Sequence, residues 1–252
     1  MSTAFGDIIR EWRGLRRFSQ LQLSLEADIS ARHMSFLESG RARPSRSMVI
    51  RLAEALNMPK DIANQAMHAA GFAPVFPQLP LDNDALSPVR EAVTLMLSNH
   101  EPLPALAIDR RWDILEQNGT ATMFFNALGV AGAANMLDAL GAAGESDLIE
   151  NWEETALLAL ARLRTEIVQH GGDRVLENYA GKIANHPRLS KFDNSAVNYN
   201  QAVIPMRINL SGRRLSLFST ISHFGAVQDV AASDIRVEMM FPADEDTRRF
   251  FM

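Results

Sequence analysis

"SQLQLSLEADISARHMSFLESGRARPS", residues 19–45, decides how the N-terminal third reads. Ser19 with Gln22 three positions on is a capping-box pattern, in which each side chain satisfies a free backbone N–H at the start of a helix. Leu21 and Leu25 are the first apolar choices on that helix, with Leu23 the next. Asp28 marks a short turn, and Ser30 caps a second helix. There Met34 and Leu37 point one way, while Ala31, Arg32, Ser35, Phe36 and Ser39 share the other side. Gly40 closes the helix, and Arg41 and Arg43 follow on a loop. The outward face is small, polar and cationic, which suits a major groove. Small residues permit close approach, arginine bonds guanine O6 and N7 bidentately, and apolar groups touch a thymine methyl. Cations on the loop suit phosphates.

Outward from that pair, the same periodicity continues. Phe5, Ile8, Ile9, Trp12 and Leu15 form one face of an upstream helix. Its Arg10, Arg13 and Arg17 stand open between solvated charges and DNA contacts. Downstream, "PSRSMVIRLAEALNM" is a fourth helix capped around Pro44 and Ser45 that buries Val49, Leu52, Ala53 and Leu56, and Pro59 begins a fifth helix. Two short helices joined by a brief turn, with three supporting helices, make a helix-turn-helix domain. A five-helix protein-interaction domain is the competing reading. Residues 18–59 resemble the phage-repressor-type (Xre) helix-turn-helix family at Ser19-Gln20, the Ser30 cap, "FLESG" and "RPS". The resemblance implies a DNA-binding set of Gln20, Ser30, Ala31, Arg32, His33, Ser35, Phe36, Arg41 and Arg43. In it Gln20 bonds a phosphate or a neighbouring base, and Arg32, Ser35 and Phe36 read base edges. His33 stands open between packing and phosphate contact, and Phe36 between a thymine contact and cover by a dimer partner. The turn position often occupied by glycine in that family is Asp28, a residue that tolerates a left-handed backbone.

Charge divides unevenly along the 252 residues, whose net is −5. Residues 1–78 hold 10 Lys+Arg against 7 Asp+Glu; the remainder holds 15 against 23. A basic N-terminal part beside an acidic body fits a DNA-binding domain joined to something else. The absence of cysteine excludes disulfides and thiolate zinc sites. There is no secretory pattern at the N-terminus and no run of about 18 apolar residues, so a cytoplasmic protein with no membrane partner is expected. No HExxH, phosphate-binding glycine loop or GxSxG occurs. The reading is non-enzymatic, with no catalytic residue, metal ligand or cofactor singled out.

"GFAPVFPQLPLDNDALSP", residues 71–88, contains prolines 74, 77, 80 and 88 and cannot continue a helix. It divides the chain into a helix-turn-helix domain (1–72), a Pro-rich linker (73–88) and a second domain (89–252). "SPVREAVTLMLSNHE" then reads as a helix with a Val89, Val93, Met96, Leu97 stripe, for packing or for a subunit contact. Two short strands follow in "ALAID" and "WDILEQ", then helices in "NGTATMFFNAL", "AANMLDAL", "NWEETALLALARLRTEIVQH" and "RVLENYAGKIANHPRL". The period then changes to two in "AVIPMRINL", "RRLSLFSTIS" and "DIRVEMMF", with Ser211-Gly212 as a hairpin turn. In the last of these, Ile235, Val237, Met239 and Phe241 share a face. The fold class is therefore mixed: an all-α five-helix helix-turn-helix domain, then an α+β, PAS-like domain with one antiparallel sheet and helices on one side.

Residues 75–251 also resemble the MmyB-like ligand-binding domain, in "EPLPALAIDRRWDILEQN", "NMLDAL", "NWEETALLALARLRTE" and "LSLFSTISHFGAVQDVAASDIRVEMMFPADEDT". In bacterial regulators this domain follows an Xre helix-turn-helix in this order. The resemblance implies a PAS-like sensor with an apolar pocket for fatty-acid-type ligands. Twelve methionines and thirteen phenylalanines suit an adaptable cavity. The candidate lining is Phe124, Phe125, Met136, Met206, Phe218, Met239 and Phe241, each of which also reads as ordinary core. Arg207, Arg214 and His223 are candidate polar contacts to a ligand. His223 stands where many relatives have a small polar residue. The expected protein is a transcriptional regulator whose partners are double-stranded DNA, a small apolar ligand such as a fatty acid or acyl compound, and a second copy of itself. The alternative is a DNA-binding regulator whose C-terminal domain binds a protein.

Overall fold

The computed structural model describes residues 4–193, 197, 202–210 and 212–252. The chain divides into two compact units. One is Met1–Gln78 with Val168–Gly172 and Gln228–Val230; the other is Leu79–Ile167 with Asp173–Val227 and Ala231–Met252.

The first unit is built from α1 (Ala4–Leu15), α2 (Gln20–Glu26), α3 (Ala31–Glu38), α4 (Arg46–Ala55) and α5 (Lys60–Ala69). The caps stand where the sequence puts them. Ser19 and Gln22 form the full capping box, Ser30 accepts from the His33 amide at 3.1 Å, and Ser45 accepts from Met48 at 3.2 Å. Asp28 adopts φ 51° in the turn between α2 and α3, the left-handed conformation expected of a glycine-like position. The core joins Phe5, Ile9, Trp12, Leu23, Met34, Leu37, Val49, Leu52 and Leu56.

Two apolar expectations are corrected here. Leu23 is fully buried, whereas Leu21 and Leu25 are 59% and 71% exposed. A seven-residue helix has room for one inward stripe, and Leu23 shares it with Ala27 rather than with its i±2 neighbours. Leu15, in the last turn of α1, is also exposed.

The helices meet at Glu38, whose side chain is 1% exposed. Arg13 of α1 donates to its two oxygens at 2.6 and 3.1 Å, and Gln20 of α2 donates at 2.7 Å. Arg10 donates to the Glu38 carbonyl at 2.9 Å. Gly6 permits the approach of α1 to α3, because a Cβ there would lie 2.5 Å from the Glu38 carbonyl oxygen. Burial pushes the Glu38 carboxyl up, but the hydrogen bonds from Arg13 and Gln20 and the charges of Arg13 and Arg10 outweigh it and hold it below the ordinary carboxylate range.

The second unit opens with a 3-10 turn (Asp84–Leu86) and α6 (Ser87–Asn99), followed by β1 (Ala105–Ile108) and β2 (Ile114–Gln117). Then come α7 (Gly119–Ala127), α8 (Met136–Ala143), α9 (Trp152–Gln169), α10 (Arg174–Ala184) and α11 (Pro187–Ser190). The chain ends with β3 (Met206–Leu210), β4 (Arg213–His223), α12 (Val230–Ser233), β5 (Arg236–Pro242) and α13 (Glu245–Phe251). The five strands form one antiparallel sheet in the order β2-β1-β5-β4-β3. In the hairpin turn expected at Ser211-Gly212, Ser211 lies outside the described residues; Gly212 has φ 84°.

Helices cover the sheet on both faces, not one. Leu106, Ile108, Leu217 and Met240 pack with Phe124, Phe125, Leu137, Trp152, Leu160 and Leu163. Ala105, Ala107 and Val237 pack instead with Val93 and Leu97 of α6. The reason is in β1 itself: "ALAI" is apolar at every position and buried at every position, so both its faces need a cover.

Replacing Glu38 by alanine leaves Arg13 and Gln20 facing an empty site. Removing one member of a buried pair costs about 3 kcal/mol or more, which lowers the melting temperature of the first unit by more than about 10 °C. Calorimetry of the full chain reads this. Because the folded pKa is depressed, the stabilisation is present above the unfolded value of about 4.3 and is lost as pH falls through the folded value. The gap between wild type and Glu38→Ala therefore closes in acid, below about pH 4.

Candidate functional site

The DNA-facing candidates group around α3 and the loop behind it. Ala31, Arg32, Arg41 and Arg43 are exposed, and Ser35, Phe36 and His33 are half-buried. Met34 and Leu37 are fully buried and anchor the helix. Phe36 lies under two cations, with the Arg32 guanidinium 5.4 Å and that of Arg41 6.0 Å from its ring centroid. Such contacts orient both arginines on one side of the helix. Ser30 and Gln20 are tied into the fold, Ser30 as the cap of α3 and Gln20 through its amide to Glu38. Arg13, left open between solvent and DNA in the sequence, is committed to the Glu38 carboxylate.

The second unit contains a cavity of about 290 Å³ between the sheet and the helices that cover it. Period-two alternation accounts for most of the strand residues that reach it. Leu217, Ser219 and Ile221 of β4 line it, as do Glu238 and Met240 of β5. These residues stand opposite one another, Ser219 against Met240 and Ile221 against Glu238. The helices supply Phe124, Phe125, Met136, Ala139 and Ala159 among others. Of the seven lining candidates, Phe124, Phe125, Met136, Met206 and Phe218 border this cavity, Phe218 from the other parity of β4.

Met239 and Phe241 are not among the lining residues, which corrects that part of the expectation. They belong to the other parity of β5. Met239 packs against the α6 cluster, and the Phe241 ring meets His100 at 4.8 Å and Phe218 at 5.8 Å. The sequence assigned Ile235, Val237, Met239 and Phe241 one shared face, correctly, but the cavity lies on the face of Arg236, Glu238 and Met240. "VEMMF" has an apolar residue on both parities, so the pattern alone does not choose.

The three polar candidates also lie elsewhere. Arg207 pairs with Glu154 at 2.9 Å and Arg214 with Glu150 at 2.8 Å; neither lines the cavity. His223 is exposed and pairs in register with Arg236. Partial desolvation and then the Arg236 and Arg162 charges hold its pKa below the ordinary histidine value.

The ionisable groups at the cavity are ones that sequence reasoning passed over, Arg162 of α9 and Glu238 of β5. Arg162 donates to Glu166 at 2.9 Å and to Glu238 at 3.3 Å. Its guanidinium lies 4.1 Å from the centroid of Trp112, whose indole N–H donates to Glu166 at 2.8 Å. Arg236 completes the group by pairing with Glu166 and donating to the carbonyls of Asp109 and Arg110 at 2.6 and 3.1 Å. Burial pushes the Glu166 carboxyl up, but Arg236, Trp112 and Arg162 together hold it below the ordinary range. The available signal was the i,i+4 pair Arg162–Glu166 just after the apolar run "ALLALA" of α9, together with a strand whose inward parity carries Arg236 and Glu238. Among the described residues no group of three or more His, Asp or Glu could hold a metal ion, and no helix is long and apolar enough to cross a membrane.

Glu166→Ala leaves Arg162 and Arg236 buried without the carboxylate they share. The expected cost is about 3–5 kcal/mol, read as a lower urea midpoint by Trp fluorescence. An unchanged midpoint would mean that the arginines relax into solvent.

The family model described as the MmyB-like transcription regulator ligand binding domain matches residues 89–251, and a helix-turn-helix model matches residues 9–62. A comparison with curated proteins finds no match. The cavity thus lies within the region matched by a ligand-binding domain, and α2 and α3 within the region matched by a helix-turn-helix. The chain belongs to the MmyB-like family of transcription regulators, with a DNA-binding helix-turn-helix ahead of a ligand-binding domain.

Proposed function

We propose that this protein is a bacterial, cytoplasmic, one-component regulator that senses a small apolar compound, fatty-acid-like or otherwise acyl, in a PAS-like C-terminal domain. The observation that carries the ligand reading is the cavity of about 290 Å³, whose lining is apolar apart from a few polar groups. A concave apolar site with a small number of placed polar groups is the ordinary form of a small-molecule site. The antiparallel β2-β1-β5-β4-β3 order supports the PAS-like reading. The domain limits are 1–72 and 89–252, joined by the segment 73–88.

At the other end, the outward face of α3 reads operator bases through Arg32, Ser35 and Phe36. Ser30, Ala31 and His33 enter at the start of that helix, Gln20 bonds the backbone at the start of α2, and Arg41 and Arg43 clamp phosphates. The exposure of Arg32, Arg41 and Arg43 supports these roles. A homodimer would read two half-sites about 10 bp apart. A ligand with unequal affinity for the two states of the regulator shifts their populations and so changes operator affinity.

Two measurements test this reading. Solvent extraction of the purified full-length protein followed by mass spectrometry should release an acyl compound. An empty domain with no thermal shift across a panel of acyl compounds would turn the reading towards a protein partner. On operator fragments selected by the protein, Arg32→Ala should lose about 1–3 kcal/mol of discrimination between specific and random DNA. Arg43→Ala should weaken binding to both alike and lower the salt slope by about one. Equal losses on both DNAs in the two variants would overturn the assignment of roles.

A further inference from the structure

We propose that the cavity selects acyl compounds whose head group is uncharged, and that Glu238 enforces this selection against a free carboxylate. The inference rests on the acyl-ligand reading and deepens it.

Charge balance is the first observation. Arg162 and Glu238 are the ionisable side chains lining the cavity among the described residues. Behind them stand Glu166, paired with Arg162, and Arg236, paired with Glu166. Two guanidiniums thus meet two carboxylates, and the group is neutral as it stands. All four side chains are largely withdrawn from water, with Glu238 10% and Arg162 22% exposed. A ligand carboxylate would enter as an excess charge in a desolvated site, where an unpaired charge is costly. Its oxygens would also lie near the Glu238 carboxylate, and two carboxylates sharing a site do not both ionise readily.

The second observation is what the site leaves unmade. Arg162 uses Nε for Glu166 and Nη1 for Glu238, but Nη2 is buried with no hydrogen-bond partner. An orphaned buried donor favours an acceptor. The Glu238 carboxylate has only acceptors to offer. A head group that accepts from Arg162 and donates to Glu238 satisfies both. A primary amide does this with its C=O and N–H, and a hydroxyl does it with one atom. Ser219, opposite Met240 on the same face of the sheet, can serve either role.

The test compares three ligands with the same tail, namely decanoate, decanamide and decanol, titrated calorimetrically into the full-length protein at pH 7.5. Wild type should bind decanamide and decanol more tightly than decanoate, by on the order of tenfold. Glu238→Gln removes one negative charge and keeps the side-chain size, so it should narrow or reverse that preference by a similar factor. Thermal melting of the variant checks that it folds; if it does not, the wild-type ranking alone decides. Equal or tighter binding of decanoate by wild type overturns the inference and leaves the acyl-ligand reading intact. Failure of all three to bind overturns that reading and the inference with it. A cavity-filling variant, Ala159→Phe, should abolish binding of whichever ligands wild type accepts; retained binding would place them outside the cavity and overturn both.

Discussion

A carboxylate taken out of water needs its partners built in around it, and both units of this chain are organised by that requirement. In the first unit Glu38 sits at the end of α3 and draws Arg13 from α1 and Gln20 from α2 onto its two oxygens. Three helices are thereby fixed against one another at a single point, with Gly6 leaving space for the backbone of α3. The outward face of α3 can be small and cationic because the helix is held from behind, by Met34, Leu37 and Glu38. The orientation of Arg32 and Arg41 over Phe36 is a consequence of the same fixed frame.

In the second unit the requirement is met by a group of four. Arg162 of α9 and Arg236 of β5 share Glu166, and Arg162 reaches on to Glu238. The group links the long helix to the central region of the sheet, at one side of an otherwise apolar cavity. Trp112 closes it by combining an indole hydrogen bond with the face of its ring against Arg162. A polar end on an apolar cavity is the form that orients a ligand as well as admitting it. The same charges that stabilise the junction form that polar end.

Several features were legible in the sequence because they depend on local chemistry alone. A Ser at a helix start bonds the amides ahead of it wherever the helix goes, so Ser19, Ser30 and Ser45 could be placed as caps. Met34 and Leu37 could be assigned inward and Arg32 outward from helical spacing. The last three strand segments declared themselves by alternation. Other features were not legible. Leu21, Leu23 and Leu25 present three apolar residues on a short helix, and only the packing of α2 chose Leu23. The choice between Met239 and Met240 turned on which face of β5 met the cavity.

By itself the sequence determined the helix-turn-helix, the antiparallel α+β domain, their order and the outward face of α3, since caps, spacing and alternation act within a few residues. Tertiary structure alone decided the polar end of the cavity. Arg162, Glu166, Arg236 and Glu238 span 76 positions and two kinds of element. Nothing local marks them as partners, because what pairs them is the desolvation they share once helix and sheet have closed over them.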